Sequence, residues 1–273
     1  MGRTVKVNWL IDIRAFPEDA NPLLDAIQKF GHDYKVIDTR WIDEHEVFFP
    51  DDQCVIFYGS LEKAKVLRKK PWIPGVYCDL KKYECKSYYP IFGDYILNSN
   101  YIMLPYGELL RQKEFLYDKL GQDRAIFLRP DVGDKTFTGE VVFKEKFDHD
   151  IPLYDIEPNA LVISAEPVNI KAEWRFVVVN QEIISGSLYK ENNIVGSSAD
   201  IPQEASEFAK KLAKLYNPER VWVIDICQTK AGDYKVVEIG CFSCAGLYAC
   251  DRLKIVEAVS DAAIQEWKEY AAD

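Results

Sequence analysis

The tightest constraint on this chain is a change of rhythm along it. Over about the first hundred residues, short apolar runs alternate with segments of helical spacing. Residues 5–11 read as a strand. NPLLDAIQKF, residues 21–30, carries apolar residues at helical spacing and meets Gly31, a favourable C-cap. Residues 33–38 and 54–59 read as two more strands, the second with a wholly apolar interior. SLEKAKVLRKK follows as a helix with Ser60 as N-cap and basic residues at its end. WIPGVYCD then reads as a turn and a short strand. This β-α-β-β-α-β order predicts a small open α/β domain with a mainly parallel sheet. Residues 98–105 read as a connector and residues 106–120 as a helix stopping at Gly121. Beyond it AIFLRPD, GEVVFKE, ALVISAEPV, EWRFVVVNQEIISGSLYK, VWVIDICQ and YKVVEIG are β-rich, with alternating apolar positions. Helices are predicted over about 202–216 and 252–270, and neither internal repeats nor low-complexity tracts are visible.

Composition narrows the class of partner. The 273 residues carry a formal net charge of -10. That balance argues against nucleic acid, whose backbone needs clustered Lys and Arg. It leaves room for an anionic small molecule, because a local pocket can be basic on an acidic protein. No apolar run approaches the roughly 18 residues of a membrane span. The start, MGRTVKVNWLIDIRAF, is broken by Asp12 and Arg14, so no signal peptide is expected, and Lys6 stands where a myristoyl anchor needs Ser or Thr. The seven cysteines are odd in number and loosely spaced, which predicts free thiols in a reducing cytoplasm. Cys241 and Cys244 form a C-x-x-C, but no second such pair exists and His32, His45 and His149 are distant in sequence. They are read as small apolar residues packing a turn rather than as a zinc or redox pair.

Three segments carry chemistry. In FLRPDVGDKTFTGEVV, a strand ending at Arg129 leads into a loop with Gly133, Lys135, Thr136, Thr138 and Gly139. Glycines let backbone N–H groups approach phosphate oxygens, and Arg and Lys add fixed positive charge. The same stretch could equally be a hairpin with a charged tip, and it is not a G-x-x-x-x-G-K-[ST] loop. In EWRFVVVNQEIISGSLY, Arg175 opens an apolar strand and needs a carboxylate or phosphate partner, or else a surface ion pair with Glu173 or Glu182. In VWVIDICQTKAGDYKVVEIG, Asp225 and Glu238 interrupt two apolar strands flanking a turn at 231–233. Pairing across that turn would bring the carboxylates together, where they repel unless a cation such as Mg²⁺ joins them. Alternatively, one or both face solvent.

Together, from about residue 127 to 251, FLRPDVGDKTFTG, EWRFVVVNQEIISGSLYK and VIDICQTKAGDYKVVEIGCFSCAGLYACD resemble the ATP-grasp superfamily. The likeness is nearest to a clade of phages and bacteria in which arginines make phosphate contacts that lysines make elsewhere. IFYGSLEKAK, PWIPGVYC and LNSNYIMLP resemble that clade's N-terminal domain. The resemblance implies an open α/β pre-ATP-grasp domain over residues 1–105 and a two-subdomain ATP-grasp fold over 106–273, with ATP between the subdomains under a glycine-containing loop. It implies Arg129 and Arg175 on the ATP phosphates and in catalysis, Lys135, Thr138 and Gly139 in the loop, Lys144 near a phosphate or the adenine, Glu166 on ribose or adenine, and Asp225 and Glu238 on Mg²⁺. Tyr248 and Asp251 become acceptor contacts. The family usually has Glu-x-Asn at its last metal strand, whereas Gly240 follows Glu238 and Ile239 here, so Ser243 or a water would stand in for the Asn. The implied activity is ATP- and Mg²⁺-dependent carboxylate–amine ligation through an acyl phosphate. An ATP-dependent phosphotransferase and a non-catalytic nucleotide-binding protein are the alternatives.

Overall fold

A computed structural model describes residues 6–132, 137–151 and 156–272. In chain order the elements begin with β1 (Asn8–Asp12), α1 (Pro17–Lys29), β2 (Asp33–Ile37), β3 (Cys54–Tyr58), α2 (Leu61–Leu67) and β4 (Ile73–Gly75). Next come α3 (Cys85–Phe92), β5 (Tyr101–Pro105), α4 (Tyr106–Arg111), α5 (Lys113–Leu120), β6 (Ala125–Pro130), β7 (Glu140–Phe143) and α6 (Phe147–Asp150). The rest are β8 (Leu161–Ala165), β9 (Ile170–Val179), β10 (Glu182–Glu191), β11 (Ile194–Ser198), α7 (Gln203–Ala213), β12 (Val221–Thr229), β13 (Tyr234–Cys241) and α8 (Arg252–Ala272). The chain divides into two compact units. One holds residues 1–79, 172–226 and 238–273; the other holds 80–171 and 227–237. No helix among the described residues is long and apolar enough to cross a membrane.

The first unit contains the expected parallel sheet, in the order β2-β1-β3-β4. β1 and β3 are buried at every position, as strands covered on both faces must be. α1 starts with Pro17 at its first turn, where a missing N–H costs nothing, and Glu18 and Asp19 add negative charge there. It ends through Gly31, whose φ of 70° is the left-handed conformation a helix C-cap favours. The same unit carries most of a five-stranded sheet ordered β11-β10-β9-β12-β13. Its core joins distant parts of the chain: Trp9, Ile27 and Tyr58 pack in one cluster with Val177, Val223, Phe242 and Val259.

The second unit is built on a four-stranded antiparallel sheet, β5-β8-β6-β7, with the tip of the β12–β13 hairpin. Leu116, Ile126, Leu128, Phe147 and Val162 form its core. Two sequence expectations are corrected here. Residues 101–105 are not a connector but strand β5, whose five residues pair with 161–165 of β8. The helix expected over 106–120 is two helices, because Gln112 leaves helical geometry at φ -105°, ψ 15°. α3, which the sequence reading did not find, inserts Tyr88, Tyr89 and Phe92 into the interior.

Candidate functional site

The most developed polar cluster lies in the first unit and centres on Arg175. β9 and β12 are neighbours in the sheet, so Arg175 and Asp225 meet across adjacent strands. The guanidinium donates twice to the carboxylate, Nε to Oδ1 at 2.8 Å and Nη2 to Oδ2 at 2.7 Å. This is the planar two-bond geometry that Arg makes and Lys does not. The third donor, Nη1, reaches the Gly246 carbonyl at 3.2 Å. Burial alone would lower the pKa of Arg175, but the charge and hydrogen bonds of Asp225 outweigh it and hold the guanidinium above its ordinary range. The side chains of Arg175 and Asp225 are 12% and 3% exposed, so each is the other's main compensation for leaving water.

Two tyrosines complete the cluster. The rings of Tyr189 and Tyr248 stack 5.2 Å apart at 16°, and Arg175 lies 5.8 Å from the first and 5.3 Å from the second. These are cation–π distances. Tyr189 is the extra residue of a β-bulge: Leu188 pairs with Trp174 and Lys190 with Glu173, leaving 189 without an opposite residue. Bulges re-aim side chains next to functional sites. The hydroxyl of Tyr189 donates to Glu173 Oε2 at 2.8 Å, while Lys190 pairs with Glu173 Oε1 at 3.0 Å. Burial, reinforced by the nearby charges of Asp225 and Glu173, pushes the Tyr189 phenol well up. Tyr248 has φ 52°, an uncommon conformation for a bulky residue, and it is held by its surroundings. The backbone N–H groups of Leu247, Ala249 and Asp251 donate to Asp19, Ser187 and Ser185 at 2.9, 3.0 and 2.8 Å. Arg252 in turn bonds the Tyr248 and Cys250 carbonyls and the fully buried Asp19.

The structure therefore pairs two residues that the sequence reading had given to different ligands, and it adds Tyr189, Glu173, Asp19 and Arg252, which that reading did not single out as site residues. The bulge at 189 has no signature in an apolar-polar pattern. Asp19 was hidden as an ordinary acidic residue of a first helical turn. Glu238 lies half-buried on β13. Asp251 is at the start of α8, where its Oδ1 accepts from the N–H groups of Leu253 and Lys254. Ser243 is not with this cluster. It is fully buried, donates to the Phe57 carbonyl at 2.7 Å and accepts from the Tyr77 N–H at 3.0 Å. Those bonds make it a brace for β3.

In the second unit, Arg129 on β6 donates to the Val237 carbonyl at 3.2 Å, one residue before Glu238 in the chain. Glu166 accepts from Asn100 Nδ2 at 3.0 Å and from Gln122, while its carbonyl accepts from Asn98. Lys144 forms an ion pair with Glu114 at 2.7 Å and lies over the Tyr117 ring. Gly139 follows exposed Thr138 and precedes β7. A Cβ there would sit 2.9 Å from the Phe127 ring, so close packing requires the glycine. Lys135 lies outside the described residues.

The donor chemistry of Asp225 and Glu238 fits Mg²⁺, which prefers hard carboxylate oxygens completed by phosphate. Both oxygens of Asp225 already accept from Arg175, so a cation would share that carboxylate with the guanidinium. Among the described residues, no group of three or more His, Cys, Asp or Glu could hold a metal by itself. An Asn at 240 would place its Cβ 3.3 Å from Val223 Cγ2, a tight contact.

Solved structures match the whole fold at low sequence identity. D-cycloserine synthetase DcsG matches with TM-score 0.64 and 15% identity, covering 94% of this chain and 99% of that one. ATP-grasp ligase PsnB, solved with a minimal precursor, matches with TM-score 0.59 and 14% identity over 95% and 100%. D-alanine–D-alanine ligase from Bacillus anthracis, solved with ATP, matches with TM-score 0.66 and 13% identity over 98% and 100%. No curated protein matches the chain in sequence. The family model described as the ATP-grasp domain of the R-two-K clade, family 2, matches residues 112–258, more than half of the chain and the stretch that holds Arg129, Arg175, Asp225 and Glu238. The chain belongs to that ATP-grasp family.

Proposed function

We propose that this protein is an ADP-forming carboxylate–amine ligase that uses ATP and Mg²⁺ and acts on an amino acid, a peptide or a protein. The observation that carries the reading is the buried Arg175–Asp225 pair within the matched ATP-grasp segment. A bidentate guanidinium held at the edge of two stacked rings is a rigid, permanently charged group of the kind that binds a phosphate. The ligases among the structural matches, one solved with ATP and one with a peptide precursor, agree with this reading.

In the proposed reaction, a substrate carboxylate oxygen attacks the γ-phosphorus of ATP. The bond to the β–γ bridging oxygen breaks and ADP leaves. The amine nitrogen then attacks the acyl carbon of the acyl phosphate, phosphate departs, and the nitrogen loses its proton to give the amide. Arg175 and Arg129 would neutralise charge on the phosphoryl oxygens. Glu166, oriented by Asn100 and Gln122, would hold the ribose or adenine, with Lys144 and the 135–139 loop as further nucleotide contacts. Asp225 and Glu238 would hold Mg²⁺, which supplies positive charge to the phosphates when bound. Tyr248 and Asp251 would face the acceptor. Positioning and electrostatics suffice for this chemistry, which explains why no His or Ser nucleophile is needed.

We further propose the division into residues 1–105 and 106–273, a phosphate-binding arginine pattern like that of the phage and bacterial clade, and a cytoplasmic location in keeping with seven free cysteines. The second reading, a nucleotide-binding protein without ligase activity, is favoured by Gly240 at the usual Asn position. Calorimetry separates them stepwise. The native chain should bind ATP with Mg²⁺ at micromolar affinity, and Arg175→Ala or Asp225→Ala/Glu238→Ala should weaken binding about tenfold or more. ADP release with an amide product then identifies the ligase, a stable phosphate ester identifies a phosphotransferase, and binding without turnover leaves the second reading. No ATP binding by the folded native chain would overturn all three.

A further inference from the structure

The C-x-x-C of residues 241–244 has no part in the proposed reaction, yet the fold gives it an unexpected neighbour. Cys78, in the segment after β4, places its Sγ 2.8 Å from Cys241 Sγ and 4.0 Å from Cys244 Sγ. Cys78 is more than 160 residues from either partner in the chain, so the sequence reading of a simple turn-packing pair is incomplete. All three belong to the first unit. We propose that Cys78 and Cys241 are a redox modification site that closes to a disulfide when the protein meets a peroxide.

The surroundings suit Cys78 as the attacking sulfur. Hydrogen bonding with Cys241 and then Cys244 favours its thiolate against the opposing effect of burial, and Arg68 and Lys65 add positive charge. Arg68 also donates to the Cys78 carbonyl at 3.0 Å and pairs with Asp79 at 3.0 Å, which fixes the cation beside the site. Cys241 and Cys244 are held in the thiol form, each hydrogen-bonding to Cys78 and each partly buried. A thiolate beside protonated thiols and a fixed cation has the electrostatics of a redox-responsive cysteine; Cys78 itself is buried, and Cys241 and Cys244 are the partly exposed members of the trio. Elsewhere burial pushes Cys54 up to about 12 and Cys250 up to about 11, which leaves them poor nucleophiles. A metal is the weaker reading, because no group of three ligating side chains among the described residues could hold one.

The Cys78 thiolate attacks one oxygen of hydrogen peroxide, the O–O bond breaks, and after proton uptake Cys78 is a sulfenic acid with one water released. The Cys241 sulfur attacks the sulfenic sulfur, an S–S bond forms, the S–O bond breaks, and the second water leaves with the Cys241 proton. Peroxide is reduced by two electrons and the two thiols are oxidised by two. The new bond would tie the end of β13, three residues beyond Glu238, to the segment after β4.

The test is to treat the intact chain with graded hydrogen peroxide, denature it, alkylate free thiols and map peptides without reduction. The expected result is loss of two of the seven alkylatable thiols, one Cys78–Cys241 cross-link, and full reversal by dithiothreitol. Cys244→Ser should keep the cross-link, and Cys241→Ser should slow loss of the Cys78 thiol into any disulfide by about tenfold or more. Seven thiols surviving a dose that oxidises free cysteine, oxidation of Cys78 straight to sulfinic acid, or a cross-link that omits Cys78 would each overturn the proposal. The native-chain map decides the question even if a variant fails to fold.

Discussion

Arg175 and Glu166 are both candidate nucleotide contacts, but the fold treats them very differently. Arg175 lies in the first unit with its charge matched by Asp225, its flank covered by two stacked rings, and those rings fixed by a bulge and a braced loop. Glu166 lies in the second unit, half-buried, bonded to neutral amides from Asn100 and Gln122. A buried charge must come with its partner already in place, because removing either one strands the other away from water. A partly solvated carboxylate can lose a neutral partner and take up water instead. The first region should therefore couple function to stability, and the second should let them vary separately.

Asp225→Ala tests this most severely. It leaves the Arg175 guanidinium buried and should cost about 3–5 kcal/mol in urea unfolding, along with most of the ATP affinity. A loss below about 1 kcal/mol would mean that the pair is not buried in solution, and the contrast would collapse. High pH acts on the same region. Tyr58, Tyr77 and Tyr189 are held neutral well above the ordinary tyrosine range, first by burial. The unfolded chain releases these protons near pH 10 while the folded chain keeps them, so stability should fall as pH rises past about 10, by up to about 1.4 kcal/mol per unit for each. Unfolding midpoints that stay flat between about pH 10 and 11 would contradict this. Tyr189→Phe removes only the hydroxyl that donates to Glu173 and should cost about 1 kcal/mol, while the ring contact with Arg175 remains. Glu166→Gln is the gentlest change. Its stability should stay within about 0.5 kcal/mol of native, while ATP affinity drops several-fold, read by calorimetry. Equal losses of stability at 166 and 225 would erase the distinction.

The elements of this fold were legible where period and punctuation agreed. Fully apolar CVIFY gave β3, and Gly31 marked the end of α1, because both depend on local chemistry. β5 was missed because YIMLP follows a run of turn-forming residues and ends in proline, and only pairing with β8 makes it a strand. The candidate site shows the same divide. That Arg175 needs an anionic partner and that Asp225 needs a cation could both be read from polar residues in apolar runs. That they satisfy each other could not, since it depends on which strands become neighbours in the sheet. Ser243 shows the converse: its place near a metal motif suggested a stand-in ligand, and tertiary packing engages its hydroxyl with the backbone of Phe57 and Tyr77, which no local pattern announces.

The hydrogen bond from Trp9 Nε1 to Ser260 Oγ, at 3.2 Å, sets a schedule for synthesis. A ribosome emits residue 9 long before residue 260, at roughly 5–20 residues per second. Until α8 emerges, β1 lacks Ser260 and Val259, and Asp19 lacks both Leu247 and Arg252. The early parallel strands must then wait on the order of ten seconds or more with an unfinished core, a period in which a nascent chain of this design would depend on chaperones or on the shelter of the ribosome surface.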